Sequence, residues 1–597
     1  MCGIVGYVGD KEAQEILIDS LKRLEYRGYD SSGIALLSES GISLKKAVGE
    51  IAVLESIMDR MPGKIGIAHT RWATHGKPSV ENAHPFVDCT NSIAVVHNGI
   101  ITNYMSLKES LAREGHKFRS ETDSEILAHL IESAEGGSLV EKVRNALKSV
   151  QGSYAIAVVG RGYDEIIASR NESPLVIGLG HDENFVASDV TALLRYTNEV
   201  VYLQDLEVAR ITRAGIEIMT LDGKKVQREP QKVSWSVEAA ERGGYPHFML
   251  KEIFEQPQAI HDSLLGRLGG TEDEIDLPPG RFTSVKILGC GTSYHAGLVG
   301  KYIIEEFSRI PTMAQISSEY RYSPVTESSP LVVCITQSGE TADTLAAARE
   351  ARRRGCKTVA ITNVVGSAIT REVDSVIYTR AGPEIGVAAT KTFVTQLIAL
   401  YLLGLRLGRT QGSLSSEQHR EILSSMRSLP RIVQRVLNSA DSLHDLARKY
   451  RNAHSMFFIG RHINYPTSLE GALKTKEISY IHGEGYPAGE LKHGPLALLC
   501  KDTPVVAICV RDHTYEKMLA NVREVAARDA PVIAIGTEGD RELDKFAEDV
   551  FLVPDIEPLF TPIPIIVSLQ LFAYYLALER GCPIDKPRNI AKTVTVE

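Results

Sequence analysis

The second half of this sequence repeats itself, and the repeat limits what the chain can fold into. An apolar run at 285–289, ending in Gly289, recurs about 170 residues later at 455–460, ending in Gly460. In the same order, 331–335 is matched by 504–508, 358–361 by 531–535, and 376–378 by 550–553. Each series closes on a long apolar stretch, near 393–405 and 563–578. Short runs that are apolar throughout, alternating with helix-length segments, fit strands buried on both faces of a parallel sheet. The repeat therefore predicts two similar doubly wound parallel-sheet α/β domains, at 246–430 and 431–587. Ligands of such sheets sit at the carboxyl ends of the strands, so the chemistry is expected there.

The first part of the chain reads differently. Residues 1–222 carry short strand-like runs at 65–68, 93–96 and 154–159, with Gly or Asn turns and a helical pattern at 124–134. That mixture predicts a layered α+β domain. The stretch 223–245 is polar, with Lys224-Lys225 and Glu241-Arg242-Gly243-Gly244, and reads as a linker; a helix is expected over 247–268. Residues 588–597 form a separate tail.

A net charge of -9 excludes a general nucleic-acid surface, which needs a basic footprint to meet phosphates. None of the eight cysteines forms a CxxC pair, so neither a zinc site nor a disulfide framework is indicated and a reducing cytosol is expected. The start of the chain lacks a basic, then apolar, signal pattern. The stretch 563–578 contains Gln570, is short for a bilayer span, and reads as a buried helix. The expectation is a cytoplasmic protein with no membrane partner.

Cys2 follows the initiator methionine. If Met1 is removed, thiol and α-amine share one residue. Their free pKa values, about 8.5 and about 7.7–8.0, let the amine take the thiol proton near neutral pH, directly or through a water. Around it stand Cys2-Gly3-Ile4-Val5-Gly6, Glu25-Tyr26-Arg27-Gly28-Tyr29-Asp30-Ser31, His69-Thr70-Arg71-Trp72-Ala73-Thr74-His75-Gly76, His97-Asn98-Gly99 and Glu121-Thr122-Asp123. These motifs, in this order, resemble the class II glutamine amidotransferase domain. The resemblance implies an N-terminal-nucleophile hydrolase fold of αββα layers. It implies that Cys2 attacks the glutamine amide, and that the Asn98 side chain and the Gly99 N–H hold the oxyanion. Arg71, suited to bidentate pairing, would take the substrate carboxylate and Asp123 its ammonium. Thr74, His75 and His84 would line the pocket, Arg27 would support it, and Trp72 would close a path for ammonia. His69, His75, His84 and His97 match no metal-site spacing, so no metal is expected, and no cofactor either.

Gly289-Cys290-Gly291-Thr292-Ser293-Tyr294 follows the first run of the repeat. It begins like a dinucleotide fingerprint, but Tyr294 stands where the third glycine belongs, and no GxxxxGK[ST] loop exists. Thr336-Gln337-Ser338-Gly339-Glu340-Thr341 also follows a strand and opens a helix at 342–354. Clustered hydroxyls at a helix N-terminus suit one small phosphate. Both motifs resemble the sugar isomerase (SIS) domain.

Glu470, Lys474 and Glu477 fall at i, i+4 and i+7 after Pro466, on one helical face. Alone they would read as an exposed ion-pair row. Together with Gly489-Glu490-Leu491-Lys492-His493-Gly494-Pro495 and the tail Pro587-Arg588-Asn589-Ile590-Ala591-Lys592, they resemble the aminotransferases that convert a ketose phosphate to an amino sugar phosphate. By that resemblance the partners are L-glutamine and D-fructose 6-phosphate, and the chain is a homodimer. Phosphate and sugar would lie against Thr292, Ser293, Thr336, Gln337, Ser338, Thr341, Val387 and Ala591. His493 would open the ring, Lys592 would form a Schiff base at C2, and Glu477 would move the proton between C1 and C2. Glu470 and Lys474 would assist. Thr336 replaces a common Ser, keeping the hydroxyl, whereas Ala389 replaces another and loses it. A different ketose phosphate, or a phosphosugar sensor without catalysis, remain the alternatives.

Overall fold

The computed structural model describes residues 2–595 apart from 26, 27, 29, 73–75, 234–240, 269–274 and 324–329. The chain divides into two compact units, Met1–Ala240 with Ala591–Glu597, and Glu241–Ile590.

The first unit is built on two antiparallel sheets. In the eight-stranded sheet, Gly3–Val8 lies between Asn184–Ala187 and Ile65–Arg71. In the seven-stranded sheet, Ile93–Ile101 lies between the edge strand Phe86–Val87 and Gly152–Gly160. Alternation along these strands gives each sheet an apolar inner face. Ile4, Ala35 and Ile67 from one sheet meet Ala94, Val96 and Ala157 from the other in a single core. Helices Ile126–Ser133 and Leu139–Leu147 cover the outer face of the seven-stranded sheet through Ile126, Leu127, Val143 and Leu147. Helix Ala13–Lys22 packs outside the other. The layers are thus αββα, as the resemblance to the amidotransferase domain implies. Part of the expected linker belongs to this unit. Lys225–Val226 pairs with Gly215–Thr220, and Gln231–Lys232 with Glu199–Tyr202, each closing an edge. Polar composition suits an edge strand as well as a linker.

The second unit contains two five-stranded parallel sheets of identical order. The strands run Thr312–Ile316, Ser284–Gly289, Pro330–Ile335, Lys357–Thr362, Ser375–Tyr378 in one. In the other they run His482–Pro487, Ser455–Gly460, Val505–Cys509, Val532–Thr537, Asp549–Val553. Both are 2-1-3-4-5 sheets, which place their ligand crevice between the first and third strands of the chain order. The second strand of each repeat is absent from the sequence signal because it is half exposed and not apolar throughout.

The expected boundary between 430 and 431 falls inside one continuous helix, Ser416–Leu437. Ser415 starts it with a reciprocal capping box to Gln418. Ile422, Leu423, Met426, Leu429, Val433 and Val436 keep a 3–4 spacing straight through Pro430, so the apolar stripe holds the helix across the proline. The helix expected over 247–268 is two, Phe248–Phe254 and Gln256–Leu264, with Pro257 in the first turn of the second. Both sheets share one apolar core, from Met249 through Val285, Leu397 and Phe458 to Leu569. Helix Pro562–Glu579 runs inside it. The span Pro558–Glu579 is the one helix among the described residues with the length and composition of a membrane span, and 89% of its apolar window is buried in the protein.

Candidate active sites

Cys2 stands directly before the strand Gly3–Val8, whose pairing of Gly3 with Thr70 sets it beside Arg71 and Trp72. The Trp72 N–H donates to Cys2 Sγ at 3.2 Å, and the thiol faces the Trp72 carbonyl at 3.6 Å. Burial pushes the thiol pKa up, against the lowering influence of the Trp72 N–H and the Arg71 charge. A thiol held protonated needs a base before it can attack, which is the service an adjacent α-amine would give.

Asn98 comes from the other sheet. Its Nδ2 donates to the Cys2 carbonyl at 3.0 Å, and its Oδ1 lies 3.0 Å from His69 Nε2. His69 Nε2 also lies 3.2 Å from the His97 carbonyl. Both neighbours are acceptors, so Nε2 carries the hydrogen and the Asn98 amide is fixed with its NH2 toward Cys2. Burial lowers His69 to about 3, keeping the ring neutral. His84 stacks on His69 with centroids 4.0 Å apart, and its Nδ1 accepts the His97 N–H at 3.2 Å. His97 Nδ1 in turn pairs with Ser124 Oγ at 2.8 Å. His84 is therefore a buried support of the histidine layer. Gly99 has φ +129, and a Cβ there would stand 2.1 Å from the Ser153 carbonyl oxygen, so only glycine fits beside Asn98. Arg71 is buried and donates to the Gly76 carbonyl at 3.1 Å; Asp123 is buried and accepts the Ile101 N–H at 2.8 Å. Thr74, His75 and Arg27 lie outside the described residues.

In the second unit, the helices Thr292–Ser308 and Asn464–Ser479 each follow the first strand of their own repeat. Gly289 and Gly460 end those strands, and a Cβ on either would strike the backbone of the helix that follows. The two helices join through a buried polar network. Thr292 Oγ1 donates to Glu470 Oε1 at 2.9 Å and accepts from Lys474 Nζ at 3.1 Å. His295 Nδ1 meets Glu470 Oε2 at 2.7 Å, and Lys474 Nζ meets Glu477 Oε2 at 2.6 Å. Glu470 and Lys474 are fully buried, whereas the Glu477 side chain is 21% exposed. This is not a solvated ion-pair row. Burial alone would lower Lys474, but Glu477 and Glu470 outweigh it and raise it above the ordinary lysine value. Burial likewise pushes Glu470 up, and Lys474, His295 and Thr292 together bring it below the usual carboxylate value. Lys474 is thus a fixed cation that aims Glu477, the one carboxylate of the row with access to a ligand.

The hydroxyl loop lies after the third strand, at the switch point of the first sheet. Thr336 Oγ1 accepts the Gly339 N–H at 3.3 Å and lies 3.0 Å from Thr341 Oγ1; Ser338 Oγ accepts the Glu340 N–H at 3.2 Å. The carbonyl of Gln337 accepts the Asn363 N–H at 3.1 Å. Helices Thr292–Ser308 and Ala342–Arg353 both begin without a side-chain cap, which leaves N–H groups for an anion. Ser293 Oγ accepts from Gln396 Nε2 at 3.1 Å. The Thr292 hydroxyl, expected on phosphate, is engaged by Glu470 and Lys474. The Val387 N–H is held by the Asp585 carbonyl at 3.2 Å. His493 ends a short 3-10 helix, Ala488–His493, and is exposed. Lys592 and Ala591 are half-buried and group with the first unit. Sequence reasoning weighed His69 only as a metal ligand, and missed His295. The available signals were His69 two residues before Arg71 on one strand face, and His295 one turn after Thr292.

The chain matches the SIS domain family at 283–406 and 449–580, and the glutamine amidotransferase domain family at 69–195. It is 50% identical, over 100% of both chains, to a glutamine–fructose-6-phosphate aminotransferase [isomerizing] of Thermus thermophilus. The proteins of that name from Methanosarcina mazei and Aquifex aeolicus are 52% and 49% identical, again over 100% of both chains. Among solved structures, the C-terminal domain of glucosamine-fructose-6-phosphate aminotransferase from Francisella tularensis superposes with TM-score 0.55 at 36% identity. The match covers 58% of this chain and 99% of that one.

Proposed function

The chain belongs to the family of isomerizing glutamine–fructose-6-phosphate aminotransferases, and on that premise we propose how its own residues divide the reaction. The enzyme transfers the amide nitrogen of L-glutamine to D-fructose 6-phosphate and isomerises the product to D-glucosamine 6-phosphate, releasing L-glutamate. Cys2, freed of Met1, attacks the glutamine amide carbon with its α-amine as base. The oxyanion is held by Asn98 Nδ2, oriented by His69, and by the Gly99 N–H. Arg71 and Asp123 hold the α-carboxylate and α-ammonium; Trp72, Thr74, His75, His84 and Arg27 complete this site, with Trp72 closing the way out for ammonia.

The sugar phosphate rests on Ser293, Thr336, Gln337, Ser338, Thr341 and the N–H groups opening the two uncapped helices. Thr292 contributes its backbone, and Val387 and Ala591 border the sugar. His493 opens the ring. Lys592 forms the Schiff base at C2, ammonia displaces it, and Glu477 carries the proton between C1 and C2. The observation that carries the isomerase assignment is the buried Lys474 between Glu470 and Glu477, which leaves only Glu477 open to a ligand. We place the domain limits at 1–232, 246–437 and 438–587, with the tail after them, and propose a cytoplasmic homodimer. The deciding experiment is an assay of the purified protein with glutamine and a panel of ketose phosphates, identifying both products. Fructose 6-phosphate gives the highest kcat/KM; a clear preference for another ketose overturns the acceptor.

A further inference from the structure

Far along the sequence from the nucleophile, the first unit brings together four side chains that the amidotransferase reaction does not use. Cys89 lies in the turn between the edge strand Phe86–Val87 and the strand Ile93–Ile101. His116 lies in the turn after helix Tyr104–Arg113, where Gly115 adopts φ +99 and the His116 N–H returns to the Leu111 carbonyl. His129 and Glu132, three residues apart, share one face of helix Ile126–Ser133. Cys89 Sγ is 3.7 Å from His116 Nδ1 and 3.6 Å from His129 Nδ1. Glu132 Oε2 is 3.1 Å from His116 Nδ1 and 3.6 Å from His129 Nδ1. The four donor atoms all lie within 4.8 Å of one another.

The geometry points to a tetrahedral zinc site formed by Cys89, His116, His129 and Glu132. Zinc bonds of about 2.3 Å to sulfur and about 2.0–2.2 Å to nitrogen or oxygen, at tetrahedral angles, put neighbouring ligand atoms about 3.3–3.6 Å apart. The four separations above fall around those values. One thiolate, one carboxylate and two neutral imidazoles balance the 2+ charge, and binding releases the thiol proton of Cys89 to solvent. A mixed sulfur, nitrogen and oxygen set favours zinc over calcium or magnesium.

Behind the ligands, the far nitrogen of the His129 ring is turned toward a carboxylate, beyond hydrogen-bond distance. His129 Nε2 faces Glu125 Oε1 at 3.9 Å, and that carboxylate is itself held by the Arg119 and Ser120 N–H groups. The Phe118 ring packs edge-on against His129 at 4.7 Å, giving an apolar side. Cys89 is exposed, which supplies the route of entry. Four protein ligands close the coordination sphere, so the ion is structural. It ties the edge hairpin, the end of one helix and the next helix into one corner. That hairpin leads into the strand of Asn98, and that helix begins just after Asp123. The expectation of no metal came from the absence of a CxxC pair and from the histidines of the glutamine motifs; these four ligands are spread over more than forty positions and share no short motif.

The test is metal analysis of the full-length protein, produced with zinc in the medium and passed over no chelating resin. The wild-type chain is expected to hold close to one zinc, and Cys89→Ser and His116→Ala each to lower the content at least tenfold. His116 sits in a surface turn, so its variant keeps the test decisive if the cysteine variant fails to fold. A wild-type protein with less than about a tenth of an equivalent, or with iron or copper in place of zinc, overturns the site. So does undiminished zinc in both variants.

Discussion

At the residue scale, the most telling side chain is one the motifs leave in the background. His69 neither binds nor attacks; it fixes which way the Asn98 amide points. Its neutrality has a measurable signature. Its folded value of about 3 lies below the unfolded value of about 6.5, so at acid pH the unfolded chain binds the proton that the folded chain refuses. Stability is complete above about pH 6.5 and falls as pH drops toward 3, by on the order of 4 kcal/mol for this ring. Thermal melts of the wild type and His69→Gln between pH 7 and 4 are expected to show a shallower acid slope for the variant; parallel slopes contradict the buried neutral ring. At the same scale, Asn98→Ala removes one oxyanion donor and is expected to lower glutaminase kcat by about 100- to 1,000-fold with a much smaller change in KM. A loss confined to KM would place Asn98 in ground-state binding instead.

At the scale of elements, the helix Asn464–Ser479 carries its function through one buried lysine. Lys474→Ala leaves Glu470 and Glu477 without their shared cation, and breaking such a buried pair costs about 3–5 kcal/mol. The expected result is a lowered melting temperature of the isomerase unit together with lost isomerisation, read by calorimetry and by product analysis. The hydroxyl loop is tested at Gly339, where φ is +70 and a Cβ would meet Ser367 Oγ at 2.0 Å. Gly339→Ala is expected to raise KM for fructose 6-phosphate while basal glutaminase is unchanged; equal damage to both activities would mean a general loss of fold. Elements were also where the sequence was most and least readable. Apolar patterning exposed four strands of each repeat: three are buried on both faces, and the fourth, Ser375–Tyr378 or Asp549–Val553, keeps a short apolar run although it is an edge. It was silent on Thr312–Ile316 and His482–Pro487, half-exposed strands whose residues form no apolar run. It read Glu470 and Lys474 as one helix face but could not say whether water or protein covered it. That depended on Thr292 and His295, some 175 residues earlier in the chain. The linker and the 430/431 boundary failed for a related reason, since polar residues mark edge strands, and a proline is tolerated where an apolar stripe continues.

At the scale of the whole molecule, one chain carries two chemistries that substitution can separate. Cys2→Ala is expected to abolish glutamine hydrolysis while fructose 6-phosphate binding persists, and Lys592→Ala to block amination while some glutaminase activity persists. Retained synthesis in either variant would overturn the assignment of that residue. The second unit does not divide in the same way. Its two sheets look like copies of one domain, yet Met249, Leu397, Phe458 and Leu569 belong to a single apolar core, and the helix Ser416–Leu437 runs across the join. A duplication whose halves have grown one interior has given up modularity. Neither copy is a portable part; severing the chain near the join would strip both halves of the surface that keeps them folded. Heating is therefore expected to melt the pair in one cooperative transition rather than as two beads on a string.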